Sequence, residues 1–407
     1  MSVVIVGTLD TKGEEFAFAR DVIEEQGLDV HVIDTGVLDD PAFEPETTRE
    51  AVAAAAGTTI EEIRDAGDRG AAMEAMGEGA AAVVRELYEA GDLDAAFSLG
   101  GSGGTSVATT AMRALPYGVP KMMVSTMASG DTRPYVQSRD IAMMYSVADI
   151  EGLNQLTRRI ISNAALAVVG MVENEPEIEI EEKPTVGVTM FGVTTPCVKR
   201  AREYLEDQGY EVLVFHATGT GGQAMENLIE QGVIDGVLDV TTTELADELV
   251  GGVLSAGPDR LEAAGEAGVP QVVSVGALDM VNFGPMDDVP GEFRDRLLYE
   301  HNPTVTLMRT TPAENAELGR ILAEKLNDAT GPTALALPLG GVSLLDVEGE
   351  AFDDPEADEA LFEAVRDHVG DGVELVERET DVNDESFALA MAEKLDAYMR
   401  EAGVGPS

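Results

Sequence analysis

Residues 95–106 read Ala-Ala-Phe-Ser-Leu-Gly-Gly-Ser-Gly-Gly-Thr-Ser, and a helix-forming run continues from there to Met112. A short apolar run, a cluster of glycines and a helical run predict a β-strand, a tight loop and an α-helix. Glycines let a ligand approach the backbone, and the first amides of a helix are unpaired donors that suit phosphates. We therefore expect this loop to hold an anionic ligand, namely a nucleotide. The residues concerned are Gly100, Gly101, Ser102, Gly103, Gly104 and Thr105.

The glycine loop alone is not enough to identify the ligand. It lacks the Lys-Ser/Thr ending of the Walker A motif and the glycine spacing of the dinucleotide fingerprint, which argues against a Rossmann-type NAD protein. A tight strand-to-helix turn without any ligand fits the same residues equally well.

A second polar loop, Gly7-Thr8-Leu9-Asp10-Thr11-Lys12-Gly13, follows the predicted strand 2–6. Ligands of open α/β sheets bind at the carboxyl ends of the strands. Lys12 is therefore a candidate phosphate partner, and Asp10 a candidate ligand for magnesium or a ribose hydroxyl. The alternative is that Asp10 or Thr11 only caps the following helix. Ser125, at the end of the strand predicted over 121–126, completes the predicted nucleotide site with Thr8 and Thr11.

The charge of the chain is extreme. Its 407 residues include 77 acidic and only 26 basic side chains, for a formal net charge of −51. Self-repulsion of this size destabilises a compact state in dilute buffer, but about molar salt shortens the screening length to about 3 Å. We therefore predict a protein of a halophilic, salt-accumulating cytoplasm. Because no basic patch is present, broad nucleic-acid binding is not expected.

Several sequence features bound the class of protein. The single cysteine, Cys197, excludes an internal disulfide. The chain starts directly with a strand, so we expect no signal peptide, and no apolar run reaches the roughly 20 residues of a membrane span. These features predict a cytoplasmic protein without a membrane partner.

The length and the order of elements predict two domains. We expect an α/β fold of two Rossmann-like, doubly wound parallel-sheet subdomains, residues 1–180 and 181–407, with a cleft between them. The acidic segment 173–183 is the predicted linker. Sliding the chain by 182 residues aligns Val4-Ile5-Val6 with Val186-Gly187-Val188 and Gly27 with Gly209, which indicates a weak repeat of one strand–helix–strand unit.

Glycines and polar residues also follow the predicted strands of the second half. We expect them to face a small-molecule substrate across the cleft. They are Gly221, Gly222, Gln223, Glu226, Asp279, Asn282, His301 and Arg309.

Taken together, the stretches 7–13, 100–105, 221–226, 276–283, 301–311 and 341–358 resemble the Tm-one-like ATP-binding domain family, to which the plant resistance protein against tomato mosaic virus belongs. The resemblance implies two Rossmann-like subdomains, ATP bound with magnesium in the first, and a homodimer. The chain looks like a stand-alone form, because plant members add a barrel domain that this length excludes. Antiviral activity is not transferred.

Two functions remain open from the sequence. One is an ATP- and magnesium-dependent enzyme acting on a small metabolite, and the other is a nucleotide-sensing or interaction module without turnover. The scarce candidates for acid, base or nucleophile are His301 and Cys197. Cys197 lies at a predicted helix start, where the helix dipole would lower the pKa of its thiol. A packing role for the cysteine and a structural role for the histidine are the alternatives.

Overall fold

The computed structural model describes residues 1–174 and 183–406. The chain divides into two compact units, Met1–Glu179 and Ile180–Ser407. Most of the predicted linker 173–183 lies outside the described residues. Each unit is built around its own parallel sheet.

The N-terminal unit is a three-layer α/β sandwich. Its strands are β1 (Ser2–Gly7), β2 (Asp29–Asp34), β3 (Ala95–Gly100), β4 (Lys121–Ser125) and β5 (Ala142–Tyr145). Its helices are α1 (Leu9–Glu24), α2 (Arg49–Ala55), α3 (Ile60–Ala66), α4 (Arg69–Ala90), α5 (Ser102–Arg113), α6 (Arg133–Val136) and α7 (Gln155–Glu173). The five strands are all parallel, in the order β2-β1-β3-β4-β5.

Alternate residues of β1 point into two different cores, as the period of a strand requires. Val3 and Ile5 pack with Phe16 of α1 and with α7, whereas Val4 and Val6 pack with Met76 of α4 and with α5. Both faces of the sheet are therefore covered, which explains why its strands read as continuous apolar runs.

The C-terminal unit repeats this plan and adds a small sheet. Its parallel strands are β6 (Thr185–Met190), β7 (Glu211–His216), β8 (Gly236–Thr241), β9 (Gln271–Gly276), β13 (Thr333–Pro338) and β14 (Val373–Arg378). Its antiparallel strands are β10 (Met280–Phe283), β11 (Leu298–Asn302) and β12 (Val305–Arg309). Its helices are α8 (Thr195–Gln208), α9 (Thr220–Glu230), α10 (Glu244–Val250), α11 (Ala263–Ala267), α12 (Pro312–Asn327), α13 (Pro355–His368) and α14 (Glu385–Glu401). The six-stranded sheet has the order β14-β13-β9-β8-β6-β7.

The predicted fold class, two doubly wound parallel α/β sheets, is confirmed. The cleft between the units stays a prediction. The three-stranded antiparallel sheet is not foreseen from the sequence, in which Asp279 and Asn282 are expected only to follow a predicted strand. Strand β10 is only four residues long and pairs with β12 some way along the chain, so a local pattern carries little sign of it. Among the described residues, no helix is long and apolar enough to span a membrane.

Helix α1 begins earlier than its sequence predicts. A start near Glu14 is expected, but the helix begins at Leu9, with Thr8 in extended conformation at its N-cap. Lys12 interrupts it with φ −131° and ψ 27°. Asp10, Thr11 and Lys12 therefore lie in the first, irregular turn of a helix rather than in a free loop.

Candidate ligand pocket of the N-terminal unit

The strand order places a crevice between β1 and β3. The helix after β1 packs on one face of the sheet and the helix after β3 on the other, so the two chain directions diverge at the carboxyl ends of these neighbouring strands. Ligands of doubly wound folds bind at such a switch point. A pocket of about 730 Å³ lies here. The predicted residues that line it are Thr8, Asp10, Thr11, Lys12, Gly101, Ser102, Gly103 and Gly104.

The glycine loop presents bare amides to this pocket. Gly101 is the N-cap of α5, and no side chain caps the helix. The amide of Thr105 donates to the carbonyl of Gly101 at 2.9 Å. The amides of Ser102, Gly103 and Gly104 have no acceptor within residues 1–174 and 183–406. These three donors stand at the positive end of a twelve-residue helix.

Three other predicted residues lie behind the loop. Thr105 and Ser125 are fully buried, and their hydroxyl oxygens are 2.6 Å apart. Ser125 Oγ also accepts from the amide of Met127 at 3.0 Å. Gly100 ends β3, and a Cβ there would lie 3.1 Å from the Cα of Gly104. This arrangement ties the loop to β4 and fixes its shape.

Asp10 has one occupied and one unoccupied carboxylate oxygen. Its Oδ2 accepts from the amide of Leu38 at 2.8 Å. Its Oδ1 is buried and has no partner among the described residues. The carboxylate packs so close to Gly36 that a Cβ there would lie 2.6 Å from its Cγ. An oriented oxygen without a partner fits the oxygen-ligand chemistry of Mg²⁺, which shares its ligands with phosphates and water.

In the described part of the chain, no group of three or more histidine, cysteine or acidic side chains is arranged to hold a metal. The role of Asp10 as a magnesium ligand stays a prediction. Nearby, burial raises the pKa of Asp34, whose Oδ1 accepts from the amides of Leu9 and Gly36.

The remaining predicted residues of this loop are hydrogen-bonded locally. Thr11 Oγ1 donates to Thr8 Oγ1 at 2.9 Å. The ammonium of Lys12 donates to the carbonyl oxygen of Ile150. Since an ammonium has three donors, this contact leaves two for other acceptors. All of these roles in ligand binding stay predictions.

The structure adds two arginines that sequence reasoning missed. Arg64 of α3 donates to the carbonyls of Val37 and Leu38 at 2.6 and 3.1 Å. Arg69, the first residue of α4, lines the pocket beside the glycine loop. Neither arginine belongs to a motif, so no sequence signal pointed to them. The pocket lining also includes apolar residues that are continuous with the core, namely Val37, Ile63, Ala72, Met73, Met76 and Val107.

The second glycine loop differs from the first. The amides of Gly219 and Gly222 both donate to Glu244 Oε1, at 2.7 and 3.1 Å. A Cβ on Gly222 would collide with the same carboxylate, and one on Gly221 with the carbonyl of His216. The N-terminus of α9 thus already holds an anion that belongs to the protein.

Glu226 belongs to a buried network around Arg260. The Arg260 guanidinium bonds Asp239 at 2.6 and 2.9 Å, Glu244 at 2.7 Å and Glu226 at 3.1 Å. Glu226 also accepts from the amides of Leu261 and Ala263, both at 2.9 Å. Gln223, one turn before Glu226, donates to the carbonyl of Ala256 at 3.3 Å. This network fastens the segment after α10 to α9 and β8.

Arg309 and Asp279 lie in a second buried network. Arg309 donates to Asp346 at 2.8 Å and to Asp358 at 2.7 Å. Asp279 Oδ2 accepts from Ser343 Oγ at 2.7 Å. Burial raises the pKa of Asp279 to about 6 and, together with the charge of Asp279, that of Asp346 to about 9.

Asn282 and His301 lie elsewhere. Asn282 is buried and donates to Asp247 Oδ2 at 2.7 Å. His301 is exposed on β11. The structure therefore brings the eight predicted C-terminal residues into separate surroundings rather than one cluster, and their contact with a substrate stays a prediction.

The expectation of a low pKa for Cys197 is wrong. The thiol is buried in the core with Val186, Val198 and Leu205, and burial raises its pKa to about 12, with a further contribution from the charge of Asp381. Desolvation outweighs the helix dipole here, because the side chain is entirely enclosed.

These features define a doubly wound α/β protein of two units with a pocket at the switch point of the first. The chain belongs to the uncharacterised protein family UPF0261, whose N-terminal domain matches residues 1–177 and whose C-terminal domain matches residues 183–399.

Relatives cover the chain almost completely. A UPF0261 protein of Clostridium tetani is 58% identical over 401 residues, which are 98% of this chain and 99% of that protein. One of Rhizobium meliloti is 48% identical over 390 residues, 95% of this chain and 96% of that protein.

The tomato protein is a partial relative. The ToMV resistance protein Tm-1(GCR237) of Solanum lycopersicum is 51% identical over 262 residues, 63% of this chain and 35% of that protein. The resemblance to its family is confirmed in this coarser form.

Proposed function

We propose that this protein binds ATP in the pocket of its N-terminal unit. The observation that carries the proposal is that three unpaired amides, of Ser102, Gly103 and Gly104, and the unpartnered oxygen of Asp10 belong to residues lining the same pocket. The unpaired amides suit phosphate oxygens, and the carboxylate oxygen of Asp10 suits a cation. The volume of about 730 Å³ is within the range of small-molecule sites.

The phosphates and the base of ATP are each matched by residues of the pocket lining. The helix α5 amides receive phosphate oxygens, and the aliphatic wall around Ile63 and Met76 receives the base. Magnesium, when bound, would neutralise part of the phosphate charge. Asp10 is preoriented for this by Leu38, whose own segment Arg64 holds in place.

The proposal includes the finer expectations from the family resemblance: a stand-alone ATP-binding protein, homodimeric and cytoplasmic. Size measurement in molar salt, at protein concentrations spanning about two orders of magnitude, tests the dimer. If the measured mass is that of one chain at every concentration, the expected homodimer is excluded, but the proposed ATP binding is not affected.

Calorimetry in molar KCl tests the central proposal. The full chain is titrated with ATP, GTP and NAD, with and without Mg²⁺. We expect binding of ATP that Mg²⁺ strengthens. A chain that is folded in this buffer and takes up none of the three overturns the proposal, and preference for NAD replaces it.

The same preparation separates an enzyme from a sensor. An ATP- and magnesium-dependent reaction on a small metabolite would consume ATP only when extracts of cell metabolites are added. Tight binding without consumption under any of these conditions favours the nucleotide-sensing or interaction module.

A further inference from the structure

The glycine loop contains no lysine, although phosphate-binding glycine loops commonly carry one. We infer that Arg69, from helix α4 on the neighbouring wall, supplies the missing cation and makes the pocket selective for the triphosphate chain. This inference rests on the proposed ATP binding and names the residue that would set its specificity.

The position of Arg69 is fixed by the start of its helix. Asp68 is the N-cap of α4, and its Oδ1 accepts from the amides of Gly70 and Ala71 at 2.8 and 3.2 Å. The first amides of α4 are thus already engaged, and Arg69 occupies the first helical position. What α4 offers to the pocket is therefore a side-chain cation rather than a helix terminus.

Packing brings this side chain to the glycine loop. A Cβ placed on Gly103 would lie 3.5 Å from the Arg69 Nη2 and 3.0 Å from the Met73 Sδ. One turn further along, Gly77 is close enough that a Cβ there would lie 3.3 Å from Thr110 of α5. Small residues thus let α4 and α5 approach, and the guanidinium lies close to Gly103 of the glycine loop.

Arg69 has no partner of its own, as is also true of Arg85, Arg159 and Lys199 in the described part of the chain. Acidic residues outnumber basic ones 77 to 26, yet no ion pair, hydrogen bond or ring contact joins Arg69 to any other residue that the structure describes. The other two pocket cations are engaged, Arg64 with two carbonyls and Lys12 with one. A guanidinium presents five donors that match phosphate oxygens in pairs.

These facts together identify the chemistry of the ligand. Three neutral backbone donors from α5 and the guanidinium of Arg69 from α4 belong to neighbouring parts of the pocket lining, which suits a polyanion more than a single phosphate. Arg69 is expected to contact the phosphates beyond the first, so that its contribution grows from AMP to ATP.

The test replaces Arg69→Gln and compares it with Arg85→Gln. Arg85 lies on the same helix, is exposed and does not line the pocket. Calorimetry in constant molar KCl measures ATP, ADP, AMP and inorganic tripolyphosphate. For Arg69→Gln we expect ATP affinity to fall about 10- to 100-fold, AMP affinity to stay within about threefold, and tripolyphosphate binding to disappear. Arg85→Gln should behave as the unmodified chain.

Unaltered ATP affinity in Arg69→Gln overturns this inference while ATP binding itself stands. Equal weakening of ATP and AMP also overturns it, because the side chain would then not discriminate by phosphate number. No ATP binding by the unmodified chain overturns the proposed function instead. Thermal unfolding of both variants checks that they are folded. Partial recovery of ATP affinity in Arg69→Lys would show that the loss in Arg69→Gln reflects the missing charge rather than a loss of structure.

Discussion

The backbone amide of Leu38 donates a hydrogen bond to Asp10 Oδ2 at 2.8 Å, which joins two segments 28 residues apart. The bond holds the carboxylate in one orientation, and Oδ1 is buried without a partner among residues 1–174 and 183–406. Arg64 holds the same segment through the carbonyls of Val37 and Leu38. The pocket is thus arranged before any ligand arrives, which lowers the ordering cost of binding.

Replacing Asp10→Asn should remove most of the effect of magnesium on ATP binding. Asparagine keeps an oxygen for the Leu38 amide but loses the charge that attracts a cation. We expect ATP affinity with Mg²⁺ to fall about tenfold, and affinity without Mg²⁺ to stay equal or rise. Calorimetry with and without the ion measures both. Glu14→Gln, on the exposed face of α1, is the control. Full magnesium stimulation in Asp10→Asn would exclude Asp10 as a ligand.

Replacing Gly101→Ala should weaken ATP binding without lowering the Tm. The nearest protein atom to the added methyl would be Thr126 Oγ1 at 3.9 Å, so the free protein accommodates it. When a phosphate is packed against the loop, no space is left for the added methyl group. We expect the affinity for ATP to fall at least about tenfold, because the added methyl group removes close contacts between the phosphate and the loop. Gly372→Ala, also in open space, is the matched control. Equal affinity of the two variants would contradict a close approach of ligand to Gly101.

Asp346 should make the protein less stable as the pH rises. Its folded-state pKa is raised from 3.8 to about 9 by burial, so the folded chain retains between these values a proton that the unfolded chain releases. Stability from this group therefore falls across that window, by at most about 1.4 kcal/mol per pH unit.

Unfolding measured from pH 5 to pH 9 at fixed salt tests this contribution. Asp346→Asn resembles the protonated acid and should show a shallower decline. Glu363→Gln, on the exposed side of α13, should decline as the unmodified chain does. Parallel curves for all three chains would show that Asp346 does not titrate in this window.

Cys197 should be unreactive in the folded protein. Because burial raises the pKa of its thiol to about 12, almost none is thiolate at pH 8. A chromogenic disulfide reagent should label the thiol only after denaturation. Cys197→Ala should retain ATP binding and any ATP consumption. Rapid labelling of the native chain, or loss of consumption in a folded variant, would restore the nucleophile hypothesis.

Salt should be required for stability. With a net charge of −51, transfer from about 3 M to 0.1 M KCl lengthens the screening length from about 2 Å to about 10 Å. We expect circular dichroism to report unfolding on this transfer. Sucrose at matched osmolality should not restore the fold, since it screens no charge. A Tm that is the same at both salt concentrations would refute the halophilic interpretation.

Periodicity and glycine placement were enough to predict much of the architecture. The strand, glycine loop and helix predicted over residues 95–112 coincide with β3, its loop and α5. Such elements are predictable because their signals are local: buried strands read as apolar runs, and helices end at glycines such as Gly91, whose φ is 78°. Strand β10 was missed because its pairing with β12 is long-range, whereas β11 and β12 form a local hairpin.

By itself, the sequence determined the two α/β units, the glycine-rich turn after β3 and the excess of negative charge, since each follows from residue order or composition. Only the tertiary structure decided which groups contact the glycine-rich turns. It left the amides of Ser102 and Gly103 without an acceptor among the described residues, in a loop close to Arg69, but placed Glu244 on the amides of Gly219 and Gly222. The two glycine loops look alike in sequence; they differ because packing brings a guanidinium to one and a carboxylate to the other.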